Sequence, residues 1–84
     1  MSAIRIDVTQ DDINRGKREH CLFCPVALAM ERAVGEVVFV HKSEYVIVYN
    51  QPLPMPAEAS EWILQFDIGG AEFVEPFSFE IPAP

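Results

Sequence analysis

Residues 24–35 read CPVALAMERAVG, and the fold turns on how they are understood. Pro25 suits the first position of a helix, where a missing N–H costs nothing, and Cys24 then stands at the cap. Gly35 supplies a residue that can leave the helix in the left-handed conformation. The spacing therefore predicts a helix over 25–34. Val26, Ala27, Leu28, Ala29, Met30, Ala33 and Val34 cover most of its circumference, so this helix is expected to be buried or packed on two sides.

The flanking sequence supplies what it would pack on. Ile4, Ile6 and Val8 alternate with Arg5 and Asp7, the period of a half-buried strand over 3–8. Thr9 with Asp12 three positions later is a capping-box start for a helix of about one turn, which carries Ile13 inward and is expected to end with Gly16 left-handed. Beyond Gly35, residues 36–40 and 44–49 are rich in β-branched and aromatic side chains and read as a hairpin turning at His41, Lys42 and Ser43. The second of these strands is apolar on both faces, which places it inside the sheet.

The prolines of NQPLPMP (50–56) argue against regular structure there. Ala59, Trp62, Ile63 and Phe66 follow helical spacing over 57–67, and Gly69 and Gly70 stop that helix. Phe73, Phe77, Phe79 and Ile81 are expected on one face of a last strand near 72–80, at a sheet edge because of Pro76. The expected fold is α+β, in the order β-α-α-β-β-α-β, with helices on one face of a small, mainly antiparallel sheet.

Eighty-four residues make one domain, 1–84, and half of them are apolar, enough for a single core. No apolar run reaches the ~20 residues that span a bilayer. The N-terminus has no signal-peptide layout, and two cysteines three positions apart cannot staple distant parts of a chain, so a cytoplasmic location is expected. The net charge is −7. All Lys and Arg fall between Arg5 and Lys42, whereas 51–84 carries Glu58, Glu61, Asp67, Glu72, Glu75 and Glu80 with no base. Direct binding to a nucleic-acid backbone is not expected of such a chain, since it depends on an electropositive face.

Three chemistries compete for residues 15–27. Cys21 and Cys24, with His20 or His41, could ligate zinc, although no second pair has matching spacing. A thiol at a helix N-terminus beside Lys17 and Arg18 could be redox-active, although the pair stands well past the first strand and no Val-Pro segment accompanies it. The third is an anion site: the backbone N–H groups of Val26 and Ala27 face out past the Cys24 cap, with Arg15, Lys17 and Arg18 in the preceding loop. Phosphate, a nucleotide or a partner's carboxylates would suit it. Against all three stands a purely structural role, a capped buried helix preceded by solvated charges. Trp62, Phe66, Phe73, Phe77 and Phe79 could line a pocket, but their spacing assigns them to the core. No Ser/His/acid set, metal–carboxylate cluster or glycine-rich phosphate loop can be assembled, so no catalytic residue, metal or cofactor is expected.

The opening strand with its VTQDDINRG segment, the CPVALA run at 24–29, and later Phe66-Asp67, Gly69, Pro76-Phe77 and Phe79 together resemble a group of small proteins encoded in bacteriophages and prophages. The likeness covers nearly the whole chain. It departs from the group at Lys17 and Arg18, where a glycine-containing loop is more usual. The resemblance implies a phage or prophage origin and carries no activity with it. Compact acidic phage proteins often act on host surfaces or small molecules, so the expected function is that of a non-enzymatic binding protein that modulates a host function. Counter-defence is the most economical form, by binding a defence protein or by sequestering an anionic nucleotide signal, with self-association left open. The alternative from another class is a structural zinc-binding or redox accessory protein using Cys21 and Cys24.

Overall fold

Strand β1, Ala3–Val8, opens the chain and pairs antiparallel with the last strand, Phe77–Pro82. The register sets Ile4 against Ile81, Ile6 against Phe79 and Val8 against Phe77, so one face of this ladder is apolar. Arg5, Asp7 and Ser78 occupy the other face. There Asp7 accepts from the Ser78 hydroxyl at 2.6 Å and from Arg5 Nε at 2.9 Å. The computed structural model describes residues 3–17, 22–41, 45–48 and 50–82.

Helix α1, Gln10–Arg15, begins at Thr9 with both bonds of the capping box in place. Gly16 ends it in an extended conformation (φ −73°, ψ 155°), not the left-handed one expected. The glycine serves a different need. A Cβ there would fall 2.5 Å from the Pro25 ring, so only a bare Cα lets the end of α1 approach the start of the next helix. The amide of Lys17 then donates to Phe23 O at 2.8 Å, closing the loop between them.

Helix α2, Pro25–Val34, has the expected bounds, with Cys24 as its cap and Gly35 left-handed at φ 82°. It packs on β1, α1 and the following strand. Val26, Ala27, Ala29 and Met30 are buried, as the apolar run requires.

Strands β2 (Phe39–His41), β3 (Tyr45–Val48) and β4 (Gln51–Pro54) form a second antiparallel ladder with β3 in the centre. β3 is interior as expected, but β4 was not foreseen: residues read as irregular because of Pro52 and Pro54 pair with β3. Prolines two apart put both missing donors on one side of a strand. β4 turns that side outward and bonds to β3 through the other, so it is an edge strand that proline tolerates. Asn50, at φ 62°, makes the turn into it. His41 is likewise not in a turn but ends β2, paired with Tyr45 and stacked on its ring at 4.7 Å.

Helix α3, Ala57–Gly69, is followed by a 3₁₀ turn, Gly70–Phe73, and then by β5, the Phe77–Pro82 strand introduced above. The class is α+β as expected, with the order β-α-α-β-β-β-α-β and two antiparallel ladders rather than one sheet. The last strand starts later than expected, which leaves Phe73 outside it, in the 3₁₀ turn and 65% exposed. Phe66, Trp62, Phe77 and Phe79 make a run of stacked rings from α3 into β5, with successive centroids 5.7, 5.0 and 5.4 Å apart. Trp62 Nε1 donates to Glu75 O at 2.8 Å, which satisfies the polar atom of a mostly buried ring.

Candidate functional site

The residues singled out for anion binding are not assembled into an open cradle. Cys24 is 4% exposed, and its Sγ accepts the Ala27 amide at 3.4 Å. That N–H, expected to face a ligand, is therefore already engaged by the cap, and both Val26 and Ala27 are fully buried. Arg15 is exposed but donates to Asp11 at 3.3 Å, an i,i+4 pair within α1. Lys17 is exposed, while Arg18 lies outside the described residues. Cys21 and His20, the partners that zinc or redox chemistry would need, also lie outside them. His41 is in a strand with Nδ1 buried and without a hydrogen-bond partner among the described residues. No group of three or more His, Cys, Asp or Glu able to hold a metal occurs among the described residues.

The main polar cluster of this half ties elements together instead. Asp12 is 2% exposed and receives both Arg32 Nη atoms at 2.8 Å, one on each carboxylate oxygen. The Thr9 amide and hydroxyl also donate to its Oδ2, at 2.9 and 3.0 Å. Arg32 Nη2 further donates to Asp7 O at 2.8 Å, so one guanidinium joins the end of β1, the cap of α1 and the last turn of α2. Burial alone would push the Asp12 carboxyl up. The Arg32 and Thr9 hydrogen bonds outweigh it and hold the group below the usual carboxylate range. Arg32 is raised in turn, chiefly by its bond to Asp12. The sequence showed Thr9 and Asp12 as a local cap but gave no sign of Arg32, twenty positions further on.

The acidic half presents a different kind of surface. An open groove of about 440 Å³ lies between α3 and residues 72–77, lined by Trp62, Gln65, Phe73 and Phe77 with Glu72 and Glu75. The Phe73 ring packs on Gly69: a Cβ there would overlap it, so the ring rests against that glycine's backbone. It nevertheless stays 65% exposed, and Leu64 and Ile68 on α3 are exposed at 49% and 76%. Sequence spacing assigned Phe73 to the core with its neighbours. The contrary signal was the Gly69-Gly70 pair just before it, which allows an aromatic ring to fold back on the helix end.

Comparison with protein-family models, with curated proteins and with solved structures gave no match to this chain.

Proposed function

We propose that this chain is a non-enzymatic binding protein that modulates a host function by occupying the surface of a partner protein. Counter-defence by a phage-derived protein is the form favoured by its sequence resemblance. The observation that supports a binding surface is Phe73, an aromatic ring seated on Gly69 yet largely exposed beside a groove. Aromatic side chains are enriched in protein interfaces, where they serve as anchors. Sequestration of an anionic nucleotide is the weaker version, because the Ala27 amide is bonded to Cys24 and Arg15 to Asp11. The Cys24 thiol, buried and engaged as a cap, is likewise poorly disposed to act as a zinc ligand or redox centre.

Expression in bacteria that each carry one defined phage-defence system, followed by phage plating, tests the proposal. Restored plating against at least one system, with a protein of that system retained by the purified chain, is the expected result. Failure to restore plating against any of them would overturn the counter-defence form.

A further inference from the structure

We infer that the groove between α3 and residues 72–77 is a docking site for a basic segment of a partner protein, with an Arg or Lys side chain seated over Phe73 between Glu72 and Glu75. The inference rests on the chain's being a binding protein and adds the chemistry of what it binds.

Two features of the groove select the occupant. Its lining includes three aromatic residues, Trp62, Phe73 and Phe77. The π-face of an exposed ring attracts a cation within about 6 Å of its centroid, and does so more strongly as water is excluded. Its lining also holds Glu72 and Glu75, both exposed, and no Lys or Arg is among the described residues that line it. An acidic or phosphorylated segment would meet like charge from Glu72 and Glu75. A purely apolar segment would cover the rings but leave both carboxylates to be desolvated without a counter-charge. A guanidinium satisfies both features: it stacks on the ring and offers forked donors to the carboxylates. The ring already packs against the backbone of Gly69, where a Cβ would overlap it, so part of its order is in place before docking.

Trp62 is the single tryptophan of the chain and lines the groove, so its indole N–H resonance and its fluorescence report on occupancy. The probe is a short blocked peptide of alternating glycine and arginine, with the same peptide carrying citrulline for arginine as the uncharged control. The arginine peptide should shift the Trp62 resonance in a saturable way that weakens as salt is added, and the citrulline peptide should not. Phe73→Ala should weaken binding about tenfold, the scale of an interface anchor. Phe73→Leu, which keeps apolar area but loses the π-face, should weaken it several-fold. Glu72→Gln with Glu75→Gln should weaken it as well, whereas Glu58→Gln, in the first turn of α3, should leave it unchanged. Equal binding of the citrulline peptide, or equal loss in Glu58→Gln, would overturn the site in favour of an apolar or a diffuse electrostatic surface.

The plating assay separates this inference from the one it rests on. No Trp62 shift while plating is restored overturns this docking surface and spares the binding protein. A Phe73-dependent shift without restored plating upholds the surface and overturns counter-defence.

Discussion

The two halves of the molecule share one apolar core, and each adds to it a fastening of a different kind between helix and strand. Near residues 7–35 the fastening is polar: Arg32 reaches Asp12 and the carbonyl of Asp7, and Thr9 completes the set. Near 57–82 it is aromatic, with Trp62 of α3 stacked between Phe66 and Phe77. The surfaces are exchanged as well. Side chains that look chemical, such as Asp12 and Cys24, are turned inward and used up in the scaffold, while Phe73, which looks like core, faces solvent. Residue type alone would have assigned the roles the other way round.

Breaking the aromatic fastening should have the largest effect. Trp62→Ala removes an inner ring of the stack together with its hydrogen bond to Glu75 O. The expected loss is about 3–5 kcal/mol, the usual result of deleting a large core aromatic, and a domain this small has little in reserve. Chemical denaturation measures it. A Trp62→Ala chain with an unchanged midpoint would mean that the stack contributes nothing and that the two fastenings are not comparable.

The polar fastening should cost less to cut. Arg32→Met leaves the Asp12 carboxylate buried with only Thr9 to bond it, a loss of about 2–3 kcal/mol at neutral pH, reduced from the fully buried case because Arg32 is half exposed. Its pH dependence has a definite sign. The Asp12 carboxyl titrates below its unfolded value, so the pair contributes fully above the ordinary carboxylate range, near pH 3.9. That contribution fades as the pH falls through the lower, folded value, where the protonated acid no longer needs its cation. The gap between wild type and Arg32→Met should therefore close on acidification, while the penalty of Trp62→Ala should not. A gap that widens in acid would show that Asp12 is not held as the charged form.

These contrasts also mark what was legible in the sequence. Helix α2 was, because Pro25 and Gly35 are local signals and needed no knowledge of partners. β4 was not: Pro52 and Pro54 are breakers by local rule, and only their pairing with β3 shows that both missing donors can face outward. The Arg32–Asp12 pair and the exposure of Phe73 depend on segments meeting in space, and no window of sequence contains them. For the proposed site the balance is similar, since Trp62 and Phe77 were visible as aromatic positions but Phe73's rest against Gly69 was not.

Gly16 sharpens the point at smaller scale. Its φ of −73° suits any residue, so the glycine is required by the closeness of Pro25. Gly16→Ala should cost about 1–3 kcal/mol, the overpacking range, because a Cβ would meet the ring and the backbone nitrogen of Pro25. Gly16→Asn should fare no better. If the expected left-handed turn were the reason for glycine, Asn would be the better tolerated of the two. Paired thermal melts decide between them.

The smallest effect is expected where the sequence first drew attention. Replacing Arg15, which is exposed, and Arg18, which the sequence puts in a charged stretch, together by Glu should alter stability by under about 0.5 kcal/mol, the usual bound for such charged positions. Arg15 contributes one exposed pair with Asp11, and such pairs are worth little. Cys21→Ser should be equally quiet. Functionally the same variants discriminate sharply. If an anion site lay at the start of α2, charge reversal would abolish binding and counter-defence. If zinc or redox chemistry were at work, Cys21→Ser would do so. If the partner docks as a basic segment between Glu72 and Glu75, both variants should bind the arginine peptide as the wild type does, with the reversal binding marginally tighter through its added negative charge. A reversal that leaves the melting midpoint and arginine-peptide binding in place but removes counter-defence would return the function to the basic loop, and the contrast between the two halves would have to be redrawn with function on the polar side.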